Sequence, residues 1–251
     1  MPKLIPGLTL CLALAPWVHP TVAAEAGHHA HWSYSGAEGP THWADLDPAY
    51  AACAAGFAQS PVDVSGALDA TLPPLVIDYQ GLGQDVVNNG HTIQVNVAPG
   101  STLTLDGRTF TLKQFHFHTP SEDKMNGESF AMEGHLVHAD PEGHLAVISV
   151  LYRLGAENPV IAQVWNAMPE RTDTPAAPPA PIDPAALLPT DKGYFRFDGS
   201  LTTPPCTEGV RWIVLKAPMT VSQSQVDRLT AAMHGANSRP VQPVNARVIV
   251  R

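Results

Sequence analysis

The sequence predicts a mostly β, single-domain protein with short peripheral helices. Most of the chain consists of short runs rich in β-branched and aromatic residues, separated by Gly, Pro and Asn. Such runs with such separators are typical of strands and turns. The chain contains no internal repeat and no second hydrophobic pattern behind a linker, so its folded part is expected to form a single domain.

The strand and helix patterns can be placed along the chain. Eight segments are predicted to be strands: Leu75–Tyr79, Asp85–Asn88, Thr92–Val97, Thr102–Leu105, Arg108–Phe117, Ala131–His138, Leu145–Leu154 and Val210–Lys216. Two segments are predicted to be helices, Pro159–Asn166 and Ser222–His234, with Ser222 as the N-cap and Gly235 near the C-cap. The Pro- and Ala-rich stretch Pro169–Pro189 is expected to be an irregular surface crossing.

The first 24 residues have the pattern of an export signal. Lys3 is their only charge, an apolar run from Leu8 to Ala15 follows, and Ala23-Ala24 ends the segment. The run is too short to span a bilayer, so we expect a cleaved signal over 1–24, a folded domain over 25–251 and no membrane anchor after cleavage. The protein is thus expected to be exported, either periplasmic or secreted.

Cleavage would leave 13 basic and 23 acidic residues, a net charge of −10. With no basic tract, nucleic acid is not an expected partner. The mature chain would retain two cysteines, Cys53 and Cys206. An even pair in an exported protein favours one disulfide, and two buried free thiols are the alternative.

A His-x-His pair is the most informative motif of the chain. In a strand, His116 and His118 project to one face while Phe115 and Phe117 face the other. His135, in a second predicted strand, offers a third imidazole. Three nitrogen ligands around Zn²⁺ with a fourth position open to water form a catalytic type of zinc site. The alternative for the His-x-His pair alone is two half-buried histidines without a metal.

Polar residues near these histidines favour the metal hypothesis. Gln114 and Glu133 each stand two residues before a histidine, where they can bond the ring nitrogen that does not bind metal. In the run Gly199–Cys206, Thr202 and Thr203 precede two prolines, which exclude helix and central strand. This run is either a rigid turn or, with Thr202 bonded to a buried carboxylate such as Glu122, a device that orients a nucleophile.

From about His31 to Arg251, the chain resembles bacterial α-class carbonic anhydrases. The matching motifs are His31–Tyr34, Gln59–Asp63, Asn88–His91, Gln114–Glu122, Glu133–His138, Ser200–Trp212 and Asn237 with Arg239–Pro243. The resemblance implies a large central, mainly antiparallel twisted β-sheet. It also implies reversible hydration of CO₂ to bicarbonate and a proton, by attack of a zinc-bound hydroxide.

The resemblance also implies residue roles. One Zn²⁺ per chain would be held by His116, His118 and His135; Thr202 would orient the hydroxide and be held by Glu122. Gln114, Glu133 and the backbone carbonyl of Asn237 would orient the ligand histidines. The apolar wall of the CO₂ pocket would consist of Val137, Val147, Leu201, Val210 and Trp212. Thr203 would contact bicarbonate, His91 would be the proton shuttle, and a Cys53–Cys206 disulfide would brace the Thr202 loop.

Asp123 departs from the family pattern. The family usually has His directly after the glutamate that holds the threonine, and this chain has Asp123. An acceptor then stands where a donor is expected, close to Glu122 and Glu133. We expect either a rearranged hydrogen-bond network or a nearby cation to compensate.

Two other functions are compatible with parts of the same sequence pattern. His116, His118 and Glu122 also fit the first metal motif of cupin dioxygenases, with Fe(II) as the metal. A carbonic-anhydrase-like binding module without metal is the non-enzymatic rival, although such modules typically lose a ligand histidine and none is lost here. The expected partners are therefore CO₂ and bicarbonate, and the expected assembly is a monomer or a homodimer.

Overall fold

One curled β-sheet of ten strands forms the centre of the protein. The computed structural model describes Met1 and residues 30–251, so the expected signal segment 1–24 lies outside the described residues, apart from Met1. The strands are β1 Val76–Asp78, β2 Gly83–Asn88, β3 Ile93–Val97, β4 Thr102–Leu105, β5 Arg108–His118, β6 Met132–Ala139, β7 Leu145–Leu154, β8 Tyr194–Ser200, β9 Glu208–Leu215 and β10 Met219–Val221. The α-helices are α1 Trp43–Leu46, α2 Ala52–Ala55, α3 Pro159–Ala167 and α4 Gln223–Ala232.

The sheet is mainly antiparallel, as predicted. Its main path runs β1-β4-β5-β6-β7-β9-β8, while β3 also pairs with β5 and β2 pairs with β3. The parallel pairings among the described strands are β7 with β9 and β7 with β10. The long strands β5, β6 and β7 lie side by side at the centre of this path.

The predicted elements occur with small shifts at their ends. All eight predicted strands are present, each end within two residues of its expected position. The second helix ends at Ala232 instead of His234, and Ser222 caps it through a capping box with Gln225. Four elements were not predicted: strands β8 and β10 and the short helices α1 and α2. Each is either short or irregular in its pattern of apolar residues, so the neighbouring turn-forming residues favoured a loop.

The Pro- and Ala-rich stretch is irregular as expected, but its description as a surface crossing is wrong in part. Ala176 and Ile182 form backbone bridges with strand β2, at Val86 and Gly83. Ile182 and Leu187 are buried in the core. The segment thus covers the open edge of β2, whose backbone groups would otherwise lack partners.

Side-chain alternation divides the sheet into two faces. Phe115 and Phe117 of β5 and Leu136 of β6 belong to the larger apolar core, together with Trp165 of α3. Gln114, His116 and His118 therefore project to the opposite face. None of the helices among the described residues is both long and apolar enough to cross a lipid bilayer.

Candidate metal centre

Three histidine side chains meet where β5 and β6 pair. His116 stands directly opposite His135 in the antiparallel register, and His118 follows two residues along on the same face. One nitrogen from each ring lies within 4.8 Å of those of the other two. The strand pairing, and not a loop, thus brings the three imidazoles together.

Each of these histidines uses its second ring nitrogen for a protein acceptor. The bonds run from His116 Nδ1 to Gln114 Oε1 at 2.8 Å, from His118 Nδ1 to the Asn237 carbonyl oxygen at 2.7 Å and from His135 Nε2 to Glu133 Oε1 at 2.9 Å. With these nitrogens donating, the lone pairs of His116 Nε2, His118 Nε2 and His135 Nδ1 remain for a common ligand. The three acceptors thereby fix both tautomer and ring orientation.

The donor set fits zinc. His118 Nε2 is buried and has no hydrogen-bond partner among the described residues, which is costly unless an ion or other ligand satisfies it. Burial lowers the pKa of both His116 and His118, so these imidazoles are neutral and able to coordinate. Three imidazole nitrogens, with no cysteine in the same cluster of the described residues, match the ligands of a catalytic zinc.

Glu133 is the centre of a buried hydrogen-bond network behind His135. Its Oε1 accepts from His135 and from the Ser149 hydroxyl at 2.5 Å, and its Oε2 accepts from the backbone N–H groups of Glu122 and Asp123. Burial alone would raise the pKa of Glu133, but His135 and these donors hold it at about 2. Ser149 was not foreseen, because its role depends on the register that sets it opposite His135.

Glu122 lies beside the histidines but beyond hydrogen-bond distance of them. Its Oε2 is buried, 3.6 Å from His118 Nε2 and 4.0 Å from His135 Nδ1, and has no hydrogen-bond partner among the described residues. Burial raises the pKa of Glu122 to about 7, against the opposing effects of His135, the Arg239 backbone N–H and the Thr202 hydroxyl. Thr202 therefore lies close enough to Glu122 to lower its pKa.

Arg239 was not among the expected site residues, yet it joins several parts of the site. Its backbone N–H donates to Glu122 Oε1 at 2.8 Å. Its guanidinium donates to the carbonyl oxygens of Ser60 and Cys53 and to Gln59 Oε1, and lies over the ring of Trp43. Apart from its place in a motif that matches the family, the sequence shows Arg239 as a charged residue in a proline-rich run, and such a residue is ordinarily exposed.

The loop that carries Thr202 is closed at both ends. Cys53 and Cys206 form a disulfide, with their Cα atoms 5.1 Å apart. The Cys206 backbone N–H donates to the Thr203 carbonyl oxygen at 2.8 Å, and the Leu201 N–H donates to Thr207 at 2.9 Å. The loop is thus held by its own backbone bonds and by a covalent link to α2.

The five residues expected to form an apolar wall belong to one cluster. Val147, Val210 and Trp212 are buried in the smaller core of the sheet, with Val137 and Leu201 packed against it. The ring centroids of Trp212 and His135 are 4.9 Å apart. An apolar surface therefore borders the histidine cluster on one side.

His91 packs against the N-terminal segment of the described chain. Its ring stacks on Trp32, with centroids 3.7 Å apart and planes 8° from parallel, and the ring of His31 is 6.3 Å away. Partial burial lowers the pKa of His91, the nearby His31 lowers it further, and Asp173 opposes them. With His31 and Trp32 it lines a cavity of about 390 Å³. His28 and His29, which precede His31 in the sequence, fall outside the described residues.

Comparison with known proteins gives one consistent result. The family model described as eukaryotic-type carbonic anhydrase matches residues 38–251. The carbonic anhydrases of Pectobacterium carotovorum and Neisseria gonorrhoeae are 46% and 45% identical to this chain, over 95% and 99% of it and 98% of each relative. The solved α-carbonic anhydrase of Thermovibrio ammonificans superposes with a TM-score of 0.86 at 46% identity, covering 88% of this chain and 99% of that one.

Proposed function

Because the chain belongs to the eukaryotic-type, or alpha, carbonic anhydrase family, which implies hydration of CO₂, we propose that it performs this reaction with one zinc ion held by His116, His118 and His135. The cupin alternative is wrong, since fold and family are those of α-carbonic anhydrases. The observation that carries the zinc proposal is the meeting of three imidazole nitrogens within 4.8 Å. The loss of metal assumed by the binding-module rival has no support in this intact ligand set.

Zinc would supply Lewis-acid chemistry, and carbonic anhydrases are themselves the reference case in which it lowers the pKa of a coordinated water to about 7, far below that of bulk water. The protein supplies orientation. Gln114, Asn237 and Glu133 hold the three imidazoles in the tautomers that leave a lone pair for the ion. Glu133 also makes His135 a stronger donor of electron density, because its carboxylate carries charge.

Thr202 orients the reacting water. Its hydroxyl has one proton, and donation of that proton to the buried Glu122 leaves only lone pairs on Oγ1 to face the water. Glu122 is itself held from the other side by the Arg239 N–H. A fixed acceptor of this kind directs a lone pair of the nucleophile towards the carbon of CO₂.

The apolar wall holds CO₂ without binding it tightly. CO₂ carries no charge, and Val137, Val147, Leu201, Val210 and Trp212 offer it a surface without competing hydrogen bonds. Thr203, beside Thr202 in the closed loop, would contact the bicarbonate product. A weakly held substrate and a charged product favour exchange of product for water.

His91 moves the product proton from the site to the solvent. An imidazole is the side chain whose ordinary pKa permits both uptake and release of a proton near neutral pH. The lowered pKa of His91 keeps it neutral and ready to accept at pH 7. Its stacking on Trp32 gives the ring one preferred position beside the cavity.

The same proposal includes export. Residues 1–24 would be removed as a signal and residues 25–251 would form the mature enzyme, in the periplasm or outside the cell. The Cys53–Cys206 disulfide supports this, because disulfides persist in oxidising compartments. Charge and sequence favour CO₂ and bicarbonate as partners, with no nucleic acid and with a monomer or homodimer as the assembly.

The test is CO₂ hydration by the purified protein, followed by the colour change of a pH indicator in stopped flow. We expect a rate far above that of buffer alone, abolished by a sulfonamide inhibitor, since a member of this family has been solved with sulfanilamide. Purified, folded protein with a rate equal to that of buffer would refute the proposed function.

A further inference from the structure

A cavity of about 540 Å³ lies between the segment that precedes β1 and the adjoining ends of β8 and β9. The residues that line it come from positions 70 to 75 and 190 to 194, together with Lys216 and Arg251. None of these lining residues belongs to the candidate metal centre. Sites for small molecules in proteins have volumes of about 300 to 1,000 Å³, and this cavity falls within that range.

One wall of this cavity is apolar. Leu72 and Leu75 are partly buried and pack against the larger core of the sheet. Pro73 and Pro74 stand between them in the wall. The Tyr194 hydroxyl donates to the Pro73 carbonyl oxygen at 2.9 Å, which ties the wall to β8. Because proline has a fixed φ angle and no N–H group, the wall is stiff and offers a ligand mainly apolar surface.

Two lysines border the same cavity, and backbone pairing brings them to neighbouring strand ends. The N–H of Lys216, directly after β9, donates to the Gly193 carbonyl oxygen at 2.8 Å, and Lys192 precedes Gly193. The stem of Lys216 lies over Gly193, where an added Cβ atom would be 3.6 Å from the Lys216 Cδ. Both lysines are partly buried, although lysine is a residue type that is mostly exposed.

The ammonium groups of these lysines have no carboxylate partner in the part of the chain that the structure describes. Lys216 Nζ lies 5.3 Å from the centroid of the Phe195 ring, a contact that attracts the cation without an oxygen acceptor. Lys192 Nζ donates to the Pro189 carbonyl oxygen at 3.4 Å, which is long for a hydrogen bond. Each ammonium group has three N–H donors, so most of these donors remain available to a ligand.

The other charged groups at this cavity are engaged in contacts of their own. Arg251 Nε donates to Asp69 Oδ1 at 2.9 Å, and the Arg251 main-chain oxygen accepts from the Ala70 N–H. Asp191 is exposed, and its Oδ1 accepts from the Gly193 N–H at 2.9 Å. The two lysines therefore outweigh the one acid beside them, in a chain whose net charge is −9. A positive cavity on an acidic protein favours an anionic ligand.

We propose that this cavity binds a small organic anion with an apolar body, of the aromatic carboxylate class. The carboxylate contacts the ammonium groups of Lys192 and Lys216, where hydrogen bonds between charged groups are strong. The ring lies against Leu72, Leu75 and Tyr194, and the removal of its apolar surface from water adds to the affinity. This proposal concerns binding at a second site, so it stands or falls separately from CO₂ hydration.

Titration of the purified protein with cinnamate, followed by amide NMR, tests where the anion binds. The amide signals of Gly193, Lys216 and Leu75 should shift together and reach saturation. The absence of a saturable shift at these amides would overturn the proposal. Shifts confined to His116 and His135 would place cinnamate at the metal centre and would also overturn it.

Charge-removing variants test the preference for an anion. The double variant Lys192→Gln, Lys216→Gln should bind cinnamate roughly tenfold more weakly than wild type, because hydrogen bonds to charged groups are lost. Cinnamyl alcohol, which has the same body without the charge, should bind wild type more weakly than cinnamate by a similar factor. Lys113→Gln removes an exposed lysine of β5 and should leave the affinity unchanged. Equal affinity of the double variant and wild type for cinnamate, or of wild type for the alcohol and the anion, would overturn the proposal.

Discussion

The imidazole of His118 donates from Nδ1 to the carbonyl oxygen of Asn237, 119 positions further along the chain, at 2.7 Å. The Asn237 side chain meanwhile accepts from the Thr119 N–H and donates to the carbonyl oxygens of Phe117 and His91. One residue of the C-terminal segment therefore ties the end of β5 to the turn that carries His91. The position of a candidate ligand and that of the candidate shuttle depend on the same asparagine.

The three histidines are predicted to hold one zinc ion per chain. His116→Ala, His118→Ala and His135→Ala should each lose most of the CO₂ hydration and most of the bound zinc, because each removes one of three ligands. Metal analysis of the purified variants measures the loss. His42→Ala removes an exposed histidine and should keep both zinc and rate. Full zinc and rate in the His135 variant would show that the ion is bound elsewhere.

Removal of the Thr202 hydroxyl is predicted to slow the reaction without loss of zinc. Thr202→Ala should reduce kcat/KM by well over tenfold, because loss of a group that orients the nucleophile raises the barrier by a few kcal/mol and each ~1.4 kcal/mol is about tenfold. Thr202→Ser retains the hydroxyl and should retain most of the rate. An unchanged rate in the alanine variant would leave Thr202 with a purely structural place in the turn.

The disulfide is predicted to stabilise the fold. Cys53 and Cys206 are separated by 153 positions, and in the chain-entropy model a loop of this length contributes about 5 kcal/mol, with measured values often smaller. Denaturant unfolding should show a lower free energy of unfolding for the double variant Cys53→Ser, Cys206→Ser. Thiol titration of denatured, unreduced wild type should find no free sulfhydryl in the mature protein, and two would contradict the bridge.

His91 is predicted to limit turnover when buffer is scarce. His91→Ala should lower kcat in weak buffer and leave kcat/KM nearly unchanged, because proton release follows the chemical step. Added imidazole should restore much of the lost turnover, and the exposed-site variant His42→Ala should need no rescue. Normal turnover of His91→Ala at low buffer would mean that the proton leaves by another route.

The sequence was sufficient to predict the central strands and one face of the site. Alternation in β5 separates Phe115 and Phe117 from His116 and His118, and this separation depends only on the two-residue period of a strand. The same reasoning placed Glu133 and His135 on one face of β6. These are local features, and the neighbouring residues along the chain determine them.

Contacts between distant segments could not be predicted in this way. Ser149 reaches Glu133 only because β6 and β7 adopt a particular register. Arg239 is buried with its guanidinium bonded to two backbone carbonyl groups, those of Cys53 and Ser60, and no pattern near residue 239 indicates these contacts. The role of Asn237 itself was implied by the family resemblance and not by its neighbours in sequence.

The central claim is that one zinc ion, held by the three histidines, is required for CO₂ hydration. Its most direct test is titration of zinc into protein from which a chelator has removed all metal, with the hydration rate followed at each addition. We expect no activity before addition and a linear rise that saturates at one zinc per chain, with no such rise in His118→Ala. Full activity of the metal-free protein, or saturation only with iron, would contradict the claim.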